Sequence, residues 1–151
     1  MAKQKLSITT VIALIVAGLV LTITTYGAVS VNKTLSSSGS ISTSANIGIY
    51  SDSACTISVT SIDWGALTPG GNVNRTVYVK NTGSGVSLTL NMTTSNWNPT
   101  SANGPITLTW NREGTKLTPG ISTVAVLTLS VSSSIIDITN FSVQILISGT
   151  G

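Results

Sequence analysis

Apolar and polar residues alternate along most of this chain with the period of two that is typical of half-buried β-strands. The clearest alternation covers residues 86–93, where Val86, Leu88, Leu90 and Met92 are separated by hydroxyl and amide side chains. Shorter or weaker patterns of the same kind predict strands at residues 42–50, 56–64, 73–80, 106–110, 125–131 and 141–147. Turn-forming sequences lie between them, among them two copies of Leu-Thr-Pro-Gly.

The number and spacing of these strands predict an all-β fold. About seven short strands, with a turn signal roughly every 8–12 residues, are typical of an antiparallel sandwich. We therefore expect residues 45–151 to form a single Ig-like antiparallel β-sandwich. Residues 94–105 are expected to form a long loop, and residues 135–138 a short helical turn.

The start of the chain has a different pattern. Residues 8–28 contain no charged residue and no proline, and a helix of roughly twenty residues rises about 30 Å, which matches the hydrocarbon thickness of a bilayer. We therefore predict an N-terminal hydrophobic helix over residues 1–28. Lys3 and Lys5 precede the apolar run, and positive residues stay on the cytoplasmic side. The membrane is thus an expected partner, and the sandwich is expected on the outer side.

Three fates are open for this hydrophobic segment. It is retained as an anchor, or it is a secretory signal cut after small residues at 25–27 or 26–28, or it is a pilin-type segment cut near Lys5. Residues 29–44 follow as a Ser-rich linker, in which 36–40 predict a flexible spacer. The alternative is that this stretch, with Leu35 and Ile41 among its apolar residues, adds itself as a strand to a neighbouring molecule.

The amino-acid composition excludes several classes of function but adds little to the prediction of the fold. Only 7% of the residues are charged, against roughly 25% in ordinary soluble domains. Three of the seven positive charges lie at or before Lys33, so no basic patch predicts nucleic-acid binding. The chain has no histidine and a single cysteine, Cys55. We expect no catalytic, metal-binding or cofactor-binding site, and hence no enzyme.

Two sets of residues remain as candidate sites. The tripeptide pattern that accepts N-linked glycans occurs at Asn32, Asn74, Asn91 and Asn140, and the second and third of these fall on predicted solvent faces. Asp52 and Asp63, on either side of Cys55, are expected to be turn residues rather than metal ligands.

The three tryptophans, Trp64, Trp97 and Trp110, raise the question of a sugar-stacking surface. Trp110 shares its parity with apolar neighbours and is expected in the core. Trp97 lies in the predicted loop and is the candidate ligand contact.

One part of the chain is similar to a known group of exported proteins. A Pro-Gly loop, the strand at residues 75–81, the turn at 82–83 and the strand at 86–90 resemble the spine of Ig-like surface domains. More narrowly, they resemble the TasA/camelysin group and its archaeal relatives, and the stretches 47–52 and 62–65 look like archaeal exported proteins. The plan of an apolar helix followed by a β-sandwich also resembles archaeal type IV pilins.

This resemblance implies export and self-association with identical subunits. TasA-like proteins form extracellular fibres by donating an N-terminal strand, and here the donor would lie within residues 29–49. Together, pattern and resemblance predict a non-enzymatic structural protein on the extracellular face of the membrane or in an extracellular filament. The alternative is an extracellular binding or adhesion module with a carbohydrate or protein partner.

Overall fold

The computed structural model describes residues 35–43 and 46–151, which form nine β-strands and one short 3₁₀ helix. The predicted N-terminal helix and Asn32 lie outside the described residues. The prediction of an all-β fold is confirmed for the described part of the chain. The strands are β1 Leu35–Thr43, β2 Ile47–Tyr50, β3 Ser61–Leu67, β4 Asn72–Asn81, β5 Leu88–Asn98, β6 Ile106–Trp110, β7 Lys116–Leu117, β8 Ser122–Val131 and β9 Asn140–Thr150, and the 3₁₀ helix is Thr100–Ala102.

The strands form two sheets whose apolar faces make up one core. The five-stranded sheet has the order β3-β1-β9-β5-β7, and the four-stranded sheet has the order β2-β4-β8-β6. Apolar residues of alternate parity from both sheets are buried, as expected for a sandwich. The most deeply buried large side chains are Trp64, Leu35, Leu67, Leu90, Ile106, Leu127, Leu129, Ile145, Ile147 and Val79.

The prediction that the sandwich is entirely antiparallel is wrong for one pair of strands. β1 runs parallel to β9, from the pair Ser36–Asn140 to the pair Thr43–Ile147. On its other side β1 is antiparallel to β3. Turn spacing could not show this, because the two strands of the parallel pair come from opposite ends of the sandwich sequence.

The structure of β1 overturns two further predictions, the flexible spacer and the domain boundary at residue 45. Leu35, Gly39 and Ile41 face the interior, whereas Ser36 and Ser38 are exposed. The serines therefore occupy the solvent side of a strand with period two, and neighbouring strands hydrogen-bond its backbone on both sides. A serine-rich stretch needs few apolar residues of its own when it lies between two strands that supply them.

At Gly39 the backbone of β1 lies close against buried side chains of the core. A Cβ atom at this position would lie 3.1 Å from Trp64 Nε1 and 3.2 Å from Ile145 Cδ1. The Trp64 indole is almost completely buried, and its Nε1 has no hydrogen-bond partner among the described residues. The missing side chain of Gly39 therefore makes room for the largest side chain in the interior.

Two of the predicted irregular segments differ from expectation. The first part of the long loop predicted at 94–105 belongs to β5, which continues to Asn98 through an irregularity between Ser95 and Asn98, and the remainder contains the 3₁₀ helix. The predicted helical turn at 135–138 is not helical; Ile135 and Ile138 are buried there, and Ile136 is exposed. Across 35–43 and 46–151, no helix is long and apolar enough to span a membrane.

Candidate functional site

Three of the four candidate glycan acceptors lie on exposed strand positions. Asn74 is on the outer face of the four-stranded sheet, and its Oδ1 accepts a hydrogen bond of 2.8 Å from Thr128 Oγ1. The hydroxyl residue of its sequon, Thr76, is also exposed, because residues two apart share a strand face. This bond uses the amide oxygen and not the amide nitrogen, which is the atom that carries an N-linked glycan.

Asn91 and Asn140 have more crowded surroundings. The amide nitrogen of Asn91 donates to Glu113 Oε1, so attachment of a sugar at that nitrogen would disturb this bond. Asn140 is the first residue of β9 and lines a groove beside β1. Of the three described acceptors, Asn74 therefore has the least obstructed geometry.

The groove beside Asn140 is open and is lined mainly by serine and asparagine residues. It has a volume of about 360 Å³ and lies where the first residues of β1 and β9 meet the end of β5. Serine hydroxyls and asparagine amides can hydrogen-bond a neutral polar ligand but do not ionise near neutral pH. The residues that line it are Ser36, Ser37, Ser38, Asn98, Asn140, Phe141 and Ser142.

A second, smaller cavity is built around Glu113, which the sequence did not single out. The Glu113 carboxylate accepts hydrogen bonds from Trp110 Nε1 at 2.8 Å and from the backbone N–H of Met92 at 3.1 Å, as well as from Asn91. The Trp110 bond is the main cause that lowers the pKa of Glu113 below its usual value; burial opposes it, and the bonds from Met92 and Asn91 add to the lowering. The cavity of about 240 Å³ is lined by Met92, Leu108, Thr109, Trp110 and Glu113.

This arrangement explains the place of Trp110. The sequence predicted a core residue, and Trp110 is half-buried and packs against the core from β6, an edge strand of the four-stranded sheet. Its indole N–H reaches Glu113, which also receives an N–H from β5. The cluster therefore ties the two sheets together and satisfies an N–H of β5 that no neighbouring strand reaches.

Asp52 lies in a turn, as expected from the sequence, whereas the prediction of a turn at Asp63 is wrong because that residue lies within β3. The Asp52 carboxylate accepts backbone N–H bonds from Thr56 and Ile57, and the bond from Ile57 is the main cause that lowers its pKa. Asp63 Oδ1 accepts the N–H of Gly65 at 2.8 Å. Within the described ranges no group of three or more His, Cys, Asp and Glu side chains could hold a metal ion.

Trp97 is not available as a sugar-stacking platform. Only 8% of it is exposed, and its ring stacks on Phe141 with the ring centres 5.9 Å apart. Its Nε1 donates to Thr94 Oγ1 at 3.3 Å. The irregular end of β5, where Asn96 adopts a positive φ, brings the Trp97 ring into the core. The candidate ligand contact predicted from the sequence is therefore a packing residue.

Comparisons with protein-family models, with curated proteins and with solved structures found no significant match to this chain. The function must therefore be argued from the geometry of the described residues and from the pattern of the sequence.

Proposed function

We propose that this chain is a non-enzymatic structural protein of the cell surface. In this proposal it is exported and held at the extracellular face of the membrane by its N-terminal hydrophobic segment. We also propose that the sandwich is of the Ig-like type, which is supported by its size and by its two sheets of five and four strands.

The observation that carries the proposal is the position of β1. This is the first strand after the hydrophobic segment, and it lies inside the five-stranded sheet between β3 and β9. Hydrogen bonds along both of its edges join it to the fold. A pull on the N-terminal segment is therefore resisted by two rows of hydrogen bonds at once, which suits a domain held by that segment.

The surface chemistry supports the same proposal. The outer face of the five-stranded sheet is formed largely by small uncharged hydroxyl and amide side chains, which suit packing beside other envelope components or under a glycan layer. Exposed members of this face on β1 and β5 are Ser36, Ser38, Ser40, Thr89, Asn91, Thr93 and Ser95.

A filament of identical subunits is the assembled form of this proposal. Because β1 is the first strand and is joined to β2 by only residues 44–46, the β1 of one copy could take the same place in the next copy. Exchange of an identical element between protomers forms the same contacts as the closed monomer, so its cost in free energy is low.

A fractionation experiment tests the anchoring. The wild-type chain is expected in the membrane fraction and accessible to protease added outside intact cells. The variant V16R/L19R should leave the membrane fraction, because charged residues at the centre of an apolar helix oppose insertion. The matched control V16I/L19I should behave like the wild type. A wild-type chain found soluble in the cytosol would contradict the proposal, and the intact mass of the mature chain shows whether the segment is retained.

A disulfide lock tests the filament. Ser40 and Ser61 are directly opposite each other on β1 and β3 and are both exposed. Because the N–H of Ile41 bonds to Thr60 O, the adjacent pair Ser40–Ser61 does not share hydrogen bonds. The Cα atoms of such a pair are about 4.5 Å apart, which is within reach of a disulfide. S40C/S61C in a C55S chain, oxidised before assembly, should block fibres, whereas the reduced chain forms them. If the chain stays monomeric in both the oxidised and the reduced state, the filament proposal is wrong and the anchoring proposal stands.

Glycan attachment is tested by mass. We expect the exported chain to lose one glycan mass in N74Q, whereas N72Q, which changes an exposed asparagine outside any sequon, should leave the mass of the glycans unchanged. Equal glycan content in N74Q and the wild type would exclude this acceptor.

The polar groove supports the alternative function, an adhesion module for neutral carbohydrate. Asn98 lines the groove and is exposed. In a glycan-binding array N98A should then lose the signal, whereas N103A, an exposed residue outside the groove, should keep it. Binding that is absent from the wild type, or equal in both variants, counts against this alternative.

A further inference from the structure

The loop between β8 and β9 carries the most exposed of the large apolar side chains that the structure describes. Ile136 is 75% exposed, whereas Ile135 and Ile138 are buried in the core. The N–H of Ile135 donates to Ser132 O at 3.3 Å, and Asp137 adopts a positive φ. Both flanks of the loop are thus held in place, and the conformation presents Ile136 to the outside.

This loop lies at the end of the sandwich where the chain enters β1. The N–H of Ser36 donates to Thr139 O at 3.2 Å, and the N–H of Ser132 donates to Pro105 O at 2.8 Å. We call this end the base, and define it by the loops at residues 68–71, 99–105 and 132–139 together with the first residues of β1.

A short stretch of sequence connects the base to the predicted hydrophobic segment. Residues 29–34 join Ala28, the last residue of that segment, to Leu35. Six residues span at most about 20 Å when fully extended. The predicted segment is therefore attached to the sandwich at the base, where β1 begins.

The chemistry of the base fits an uncharged interface. Its three loops contain hydroxyl, amide, glycine and proline residues, and their single charged residue is Asp137. A single exposed apolar residue is common on protein surfaces. Ile136 differs because it is held outwards by its buried neighbours and because it lies at the end to which the predicted hydrophobic segment is attached.

We infer that the base seats on the lipid surface, with Ile136 inserted at the boundary between headgroups and acyl chains. This inference rests on the membrane anchoring in the proposed function and adds to it a defined orientation of the sandwich. The apolar side chain gains by leaving water, and the surrounding polar side chains remain at the level of the headgroups.

The test places a fluorescent label at each end of the sandwich. The full chain with C55S carries either I136C, at the base, or the matched control I121C, a 55% exposed isoleucine in the turn before β8 at the opposite end. Both are labelled with nitrobenzoxadiazole and reconstituted in phosphatidylcholine vesicles. We expect nitroxide-bearing lipids to quench the label at position 136 several-fold more than the label at 121, and aqueous iodide to do the reverse.

Each other outcome decides between the two proposals. If both labelled chains float with the vesicles and lipid-borne nitroxide quenches the two labels equally, the seating is wrong and the anchoring stands. If neither chain floats with the vesicles, the anchoring fails and the seating with it. A label at 136 that is shielded from both quenchers would show that a second copy covers the base, and would also overturn the inference. A second label, T100C at the base, should lose most of its lipid quenching when I136N is added.

Discussion

Asn81 shows how one polar side chain organises the end of the sandwich opposite the base. Its side chain is completely buried. Its Nδ2 donates to Val86 O at 2.9 Å and to Leu117 O at 3.0 Å, and its Oδ1 accepts the N–H of Gly83 at 3.0 Å. It therefore joins the β4–β5 connection to β7 and satisfies backbone groups that no strand reaches.

Replacing Asn81 by leucine, which has the same branching and the same number of heavy atoms, should lower the free energy of unfolding by about 3 kcal/mol, because buried backbone groups lose their partners. Urea unfolding followed by tryptophan fluorescence measures the change. N72A, at an exposed position of the same strand, is the control and should have little effect. A loss in N81L no larger than in N72A would show that water replaces the side chain.

The hydrogen bonds of Glu113 predict that the folded chain loses stability as the pH falls. Its pKa is lowered in the folded state, mainly by the bond from Trp110 Nε1. Its contribution is therefore present above the usual pKa of a glutamate and is lost as the pH falls through the lowered folded value. Because Glu113 is exposed, solvent screening keeps the effect small.

Urea midpoints measured across the acidic range should show this loss in the wild type and a weaker dependence in E113Q. Asp52, whose pKa is also lowered, contributes to the remaining slope, and D52N should reduce it further. An E113Q chain with an acid slope as steep as that of the wild type would contradict the assignment.

At the scale of elements, β1 is a strand that its own residues do not predict. The Ser-rich stretch has too few apolar residues to predict a buried strand by composition. Its neighbours β3 and β9 supply Trp64, Val143 and Ile145 to the same part of the core, all of them buried. The strand forms because its backbone has partners on both sides, which only tertiary structure provides.

Gly39 is the position where this dependence is sharpest. G39A should lower the free energy of unfolding by about 1–3 kcal/mol, because the added methyl group meets the buried Trp64 ring and crowded cores yield little. The neighbouring S38A, at an exposed position on β1, is the control and should stay within experimental error. Equal stability of G39A and the wild type would mean that the Trp64 indole moves aside.

At the scale of the whole molecule, the order of the strands makes the fold depend on β1. In its sheet β3 pairs only with β1, and β1 links it to β9. Residues 32–151 form one compact unit. The hydrophobic segment is outside this unit, whereas β1 is inside it.

Two truncations test this division. A chain that starts at residue 32 should fold cooperatively and resist protease, because all nine strands are kept. A chain that starts at residue 45 should be largely unfolded, since β3 loses its partner and Trp64 and Ile145 lose the strand that covers them. Circular dichroism and limited proteolysis distinguish the two. Cooperative unfolding of the shorter chain would show that β1 is dispensable and would weaken the proposal that it joins the fold to the membrane segment.

The sequence by itself determined the fold class, most of the strands and the candidate glycan acceptors, because period-two alternation, turn residues and sequons are local signals. It also predicted that Asp52 would be a turn residue, whereas Asp63 lies within β3. Only tertiary structure decided the parallel pairing of β1 with β9, the burial of Trp97, the Glu113 cluster and the groove beside Asn140. Each of these joins residues from separate strands, and the free energy that places them comes from contacts that no local pattern contains.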